Sequence, residues 1–200
     1  MVTLIIVDCQ NDFISGTMPV KGAKEALTGI KEFIGNNEID KIIFTADWHI
    51  SKHPSFKKNG GEWPSHCVQF TPGACIESKL LKYVISQEID YDVVTKGEEE
   101  EQYGAFKEII KSTKDFFGVK YYLDNISIES DSRVIVCGIA GDYCVKETMK
   151  NLINAGITPE VLISGIASID DGEILNDFIK KHNLKVISNE ESSTDQSDNK

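Results

Sequence analysis

Apolar positions along this chain fall into two rhythms. Six short runs rich in Val, Ile and Phe are bounded by polar or Gly-containing segments: Thr3 to Asp8, Lys41 to Asp47, Asp92 to Lys96, Arg133 to Gly138, Glu160 to Ser164 and Lys185 to Ser188. Several are continuous and not alternating, as expected of strands covered on both faces. Between them, Ala23 to Ile34, Tyr143 to Ala155 and Glu173 to His182 repeat apolar residues at helical spacing. Asp142 stands where an N-cap of the second helix would be, and Asp170 and Asp171 precede the third in the same way. Strands alternating with helices predict right-handed βαβ units. The fold class is therefore α/β: three layers, with a doubly wound, mainly parallel six-stranded sheet between helices.

The 200 residues contain no internal repeat and no Pro-rich or Gly/Ser-rich linker, so one domain is expected over 1–188. Residues 189–200 (NEESSTDQSDNK) contain no large apolar residue and are expected to form a disordered acidic tail. Glu98 to Glu101 reads as a solvated loop, because four adjacent like charges repel. With 40% apolar and 26% charged residues, the composition is that of a folded globular protein. The net charge of −11 argues against nucleic acid, whose phosphates need clustered Lys and Arg, and against docking on anionic lipid. In the opening MVTLIIVDCQNDF no basic segment precedes the apolar run and Asp8 interrupts it, so it reads as a strand and not a signal peptide. The five cysteines, Cys9, Cys67, Cys75, Cys137 and Cys144, are odd in number and irregularly spaced. They predict free thiols in a reducing compartment, hence a cytoplasmic protein. Cys137, inside an apolar run, reads as a small buried side chain.

Open α/β sheets bind ligands beyond the carboxyl ends of their strands. Asp8 ends the first run, Asp47 the second and Lys96 the third, and Cys144 follows the fourth. In VCGIAGDYCVKET a strand passes through a tight turn into a helix whose first turn holds Cys144. A helix N-terminus favours a thiolate, and the N–H groups of Ala140 and Cys144 could face a developing oxyanion. A thiol nucleophile needs a base and an orienting charge, roles that Asp8 and Lys96 can fill. Singly, each has an ordinary reading: a buried helix cysteine, a loop cap, a lysine lying along the surface. Their coincidence at matching strand ends favours chemistry.

Three of the four histidines, His49, His53 and His66, lie within TADWHISKHPSF and WPSHCVQFTPGA, just after Asp47. Asp47 and His49, two apart on an extended strand end, point to one side. With His66 from the following loop they form a donor set that suits Zn²⁺, Fe²⁺ or Mn²⁺ with positions left for water. His53 is either a further ligand or a group supporting one.

In order, VDCQNDF, TADWHISKHPSF, WPSHCVQFTPGA, TKG, YGAF and GIAGDYCVKET resemble the motifs of the nicotinamidases, within the isochorismatase-like cysteine hydrolase family. The resemblance runs from about Thr3 to Ser188. It implies hydrolysis of nicotinamide to nicotinate and ammonia in NAD salvage, with pyrazinamide a common second substrate. It also implies a triad of Asp8, Lys96 and Cys144 and one divalent metal, Zn²⁺ first among the three, on Asp47, His49 and His66. No organic cofactor is implied, and the oligomeric state stays open. Further implications are a cis peptide between Ile139 and Ala140 aiming the Ala140 N–H at the oxyanion, Phe13 and Trp63 sandwiching the pyridine ring, and Ile139 and Tyr103 as pocket contacts. The chain departs from the family in carrying Ile139-Ala140-Gly141-Asp142 where Val-Thr-x-Asp is common, so a pocket-wall side chain is missing at Gly141. The glutamate run after Lys96-Gly97 is also unusual and is expected near the entrance.

Two other readings use the same scaffold: a ureido, carbamoyl or isochorismatase-type hydrolase, and an inactive binding module. The first generally lacks the Asp-x-His and distal His set, and the second does not need the triad. A dinucleotide-binding protein is disfavoured, since no G-x-G-x-x-G follows the first strand.

Overall fold

The computed structural model describes residues 1–106, 109–115, 118–123, 126–129 and 131–189. Strands β1 (Val2–Val7), β2 (Lys41–Asp47) and β3 (Asp90–Lys96) form one half of the main sheet. Strands β4 (Ile109–Asp115), β5 (Gly118–Leu123) and β6 (Ile126–Glu129) form a separate antiparallel sheet. Strands β7 (Arg133–Ile139), β8 (Glu160–Ala167) and β9 (Val186–Ile187) complete the main sheet in the order β3-β2-β1-β7-β8-β9. Every pairing in that six-stranded sheet is parallel.

The continuous apolar runs have the expected consequence: both faces of the sheet are buried. Leu4 and Ile6 of β1 face one core, with Ile42, Phe44, Ile135 and Cys137 from neighbouring strands. That core is covered by α2 (Ala23–Asn36) through Ile30 and Phe33, and by α3 (Ser78–Ser86) through Leu80 and Val84. Ile5 and Val7 face the opposite core, under α4 (Lys146–Asn154) and α5 (Glu173–His182), which supply Met149, Leu152, Leu175 and Ile179. A short helix, α1 (Asn11–Ile14), follows β1. No helix among the described residues is long and apolar enough to cross a membrane, and all five cysteines are free.

Several local features differ from the sequence reading. The β4–β6 sheet and α3 had no counterpart in it. Asp142 is not an N-cap: the turn it occupies is a π-helical one, Gly141–Val145, with Ala140 at the cap position. The Asp142 carboxylate instead accepts the N–H groups of Ile169 and Asp170, both at 3.1 Å, and ties the loop after β8 to that turn. At α5 the cap position is held by Gly172 and not by Asp170 or Asp171, though Asp170, two residues earlier, accepts from Gly172 N and Ile174 N. Of the acidic tail, Asn189 is bound to Ser164 Oγ and Glu32, while residues 190–200 lie outside the described residues.

Candidate active site

Four adjacent strands deliver the polar groups. The order β3-β2-β1-β7 brings Lys96, Asp47, Asp8 and the turn after β7 side by side at one edge. Asp47 and Lys96 are direct register partners. Gly138 permits the close approach of β7 to β1. Its φ is +120°, and a Cβ there would lie 2.1 Å from the Val7 carbonyl oxygen. The following Ile139–Ala140 peptide is cis, and the Ala140 carbonyl accepts from Tyr143 N and Val145 N, closing the turn that carries Cys144.

Asp8, Lys96 and Cys144 meet in the interior. Lys96 Nζ lies 2.8 Å from Asp8 Oδ2 and 3.8 Å from Cys144 Sγ, and it also contacts Asp47 Oδ1. Thr45 Oγ1 donates to Asp8 Oδ1 at 2.7 Å, and the Asp8 N–H donates to the Thr45 carbonyl. One oxygen of Asp8 is thus fixed by a hydroxyl and the other faces the ammonium. Asp8 and the Lys96 side chain are essentially inaccessible to water, and Cys144 is buried.

Burial governs the titration of this group. It pushes the Asp8 carboxyl upward, against the lowering effect of Lys96. The Cys144 thiol is also driven up by burial, and the Asp8 and Asp47 carboxylates add to that while Lys96 opposes it. The lowering expected of a helix start is not the direction found here, where loss of solvation pushes the thiol up. Burial would also raise Asp47, but Lys96 and His49 hold its carboxyl below the usual range. Lys96, flanked by two carboxylates, stays protonated despite its burial.

Asp47 Oδ2 turns away from Lys96 towards a second group, lying 3.5 Å from His49 Nε2 and 4.0 Å from His66 Nε2. The donor atoms of Asp47, His49 and His66 all lie within 4.8 Å of one another. His49 Nδ1 contacts the Gly97 carbonyl and His66 Nδ1 the Pro64 carbonyl at 2.7 Å. A carbonyl only accepts, so both Nδ1 atoms carry a proton, and each Nε2, the ring nitrogen on the Asp47 side, is the one left to bind a metal. Burial lowers the pKa of His66, favouring the neutral ring a metal requires. This donor set fits a divalent cation held by bonds of about 2.0–2.2 Å. His53 stacks beside His49, with ring centroids 4.2 Å apart, and its Nδ1 contacts Ser55 Oγ at 2.7 Å. The compact donor group forms without it.

A pocket opens over Cys144 and the Asp47 corner, and Phe13, Trp63, Tyr103 and Ala140 are among the residues that line it. Ile139 does not join them: it is fully buried and packs in the apolar core. Tyr143, which the sequence reading missed, stands between Trp63 and Tyr103, with ring centroids 5.3 and 5.5 Å away. Gln10 was missed as well. Its side chain clasps Asp47 from both sides, accepting from Asp47 N and donating to Asp47 O, each at 2.8 Å.

Residues 2–191 match the Isochorismatase domain. The chain belongs to that family. Among curated relatives, the nicotinamidase of Saccharomyces cerevisiae is 31% identical over an alignment covering 94% of this chain and 99% of the relative. Among solved structures, PnC1 from L. infantum in complex with nicotinate superposes with a TM-score of 0.73 at 28% identity, covering 94% of this chain and 92% of that one. The pyrazinamidase of Pyrococcus horikoshii in complex with zinc gives 0.65 at 26% identity, covering 93% and 98%. This family member therefore spans nearly the full length of its relatives, and its six-stranded parallel sheet is theirs.

Proposed function

We propose that the protein is a nicotinamidase, hydrolysing nicotinamide to nicotinate and ammonia through a thioester on Cys144. The observation that carries the reading is the contact of one buried ammonium, Lys96, with Asp8, Asp47 and Cys144 together. That arrangement joins a nucleophile and base to a cation corner across one narrow pocket. The relatives' nicotinamidase activity and the bound nicotinate in the L. infantum structure support the choice of substrate. NAD salvage is the context it implies.

Asp47, His49 and His66 would hold a divalent metal, zinc first among the alternatives, which would supply a Lewis-acid contact for the pyridine nitrogen. Phe13 and Trp63 bracket the ring and place the carboxamide carbon beside Sγ, removing entropy from the barrier. Asp8, poised by burial to accept a proton, takes it from the thiol as sulfur bonds to the carbonyl carbon. The N–H groups of Ala140 and Cys144 receive the developing oxyanion, and Lys96 keeps Asp8 oriented. On collapse the C–N bond breaks and Asp8 returns its proton to the departing ammonia. Water then attacks the thioester with Asp8 again as base, releasing nicotinate and the thiol.

Ammonia release should be measured with nicotinamide, pyrazinamide and a ureido substrate, with and without chelator. Turnover of the two aromatic amides, lost with chelator and restored by metal, is the expected result. Turnover of the ureido compound alone would replace this reading with a carbamoyl amidase.

A further inference from the structure

The glutamate run after Gly97 plays no part in the chemistry above, yet one of its members reaches the pocket. Glu98 contacts Gln69 Nε2 at 3.1 Å, and Glu99 and Glu100 are exposed. Glu101 lines the pocket itself. Its Oε1 accepts the Tyr103 hydroxyl proton at 2.6 Å, and the Tyr103 oxygen accepts from Trp63 Nε1 at 3.0 Å. Burial and this carboxylate hold the Tyr103 pKa up at about 12, so the hydroxyl remains a donor. The carboxylate is therefore pinned at the mouth by a chain of hydrogen bonds anchored on a pocket aromatic.

We propose that Glu101 sets the preference for the neutral amide over the anionic acid it becomes. This rests on the nicotinamide reading. Hydrolysis turns an uncharged carboxamide into an aromatic carboxylate that is fully ionised at neutral pH. The charge of Lys96 is offset by Asp8 and Asp47, but the turn N–H groups and a cation at the Asp47 corner would draw that anion in and favour retention of the product. Among the described residues, the side chains lining the pocket include no Lys or Arg at its mouth, and Glu101 places an opposing charge there. Since Glu101 is exposed, its field is partly screened. A carboxylate at such a position changes the binding of a charged ligand by roughly threefold to tenfold at low salt.

Isothermal titration of the metal-loaded protein with nicotinate and with 3-acetylpyridine, a neutral ketone of similar shape, tests this without turnover. Glu101→Gln removes the charge but keeps an oxygen for the Tyr103 hydroxyl. It should bind nicotinate about threefold to tenfold more tightly, less so as salt rises, and leave the ketone within about twofold. Glu99→Gln removes the same net charge from an exposed site and should change neither ligand. A parallel shift for both ligands in Glu101→Gln, no shift, loss of both, or an equal nicotinate gain in Glu99→Gln would each overturn the proposal. Failure of the nicotinamide reading would show separately, as wild-type protein that releases no ammonia from nicotinamide.

Discussion

At the scale of single residues, burial drives the Asp8 carboxyl and the Cys144 thiol in the same direction. A thiolate is costly in this interior, so the proposed mechanism has the proton leave sulfur as the new bond forms, with a carboxylate of raised basicity as the acceptor. In the proposed mechanism the base form of Asp8 is the active one. As pH falls, kcat/KM should therefore drop through the pKa of Asp8, and that limb should lie above the ordinary value of 3.8. A pH–rate profile with its acid limb at the ordinary carboxylate value would contradict this. Asp8→Asn should lower kcat by about 10²–10⁴ with the far-UV spectrum unchanged. The convergence of Asp8, Lys96 and Cys144 was legible in the sequence because the first two end strands and the third lies in the turn after one. The direction of the Cys144 shift was not, because the helix start is visible in sequence whereas the depth of burial depends on four strands and a covering loop. Gln10 was illegible for a related reason: an amide in a loop gains its role only from Asp47, 37 positions away.

At the scale of elements, the six strands of the main sheet were readable because double-sided burial makes their apolar runs continuous. Strands β4 and β6 were not, because IIKSTKD and ISIE interleave polar with apolar residues; GVKYYL of β5 carries a more apolar run and was overlooked. The Asp142 case shows another ambiguity, since an acidic residue before an apolar helix reads as a cap whether it bonds its own turn or, as here, a distant loop. Two predictions belong at this scale. Glu160 at the start of β8 meets Arg133 Nη2 of β7 at 2.5 Å and Lys185 Nζ, just before β9, at 3.6 Å. Burial alone would raise its carboxyl, but these cations leave it lowered, so its stabilisation is present above the unfolded pKa and lost as pH falls through the folded one. Glu160→Gln should cost about 1 kcal/mol in urea unfolding at pH 7, with the difference from wild type shrinking in acid. Gly97 has φ +64°, and a Cβ there would sit 2.8 Å from His49 Cε1. Gly97→Ala should disturb the carbonyl that orients His49 and weaken metal retention by about 10–100-fold, read by competition with a chelating dye.

At the scale of the whole molecule, the sheet order converts four distant sequence positions into one edge. The triad and the cation corner touch where Lys96 meets Asp47, so a change in one half of the site reaches the other. Removing metal with a chelator should raise KM for nicotinamide and also lower Tm, because a bound ion stabilises the folded state by mass action. Unchanged kinetics and Tm in metal-free protein would remove the metal from the account. The most direct test of the central claim is rapid-quench mass spectrometry of the protein during turnover of nicotinamide. The account predicts a nicotinoyl adduct on the peptide containing Cys144, absent when Cys144→Ala is mixed with the same substrate. Turnover without any acylated Cys144, or ammonia release by the alanine variant at the wild-type rate, would contradict it.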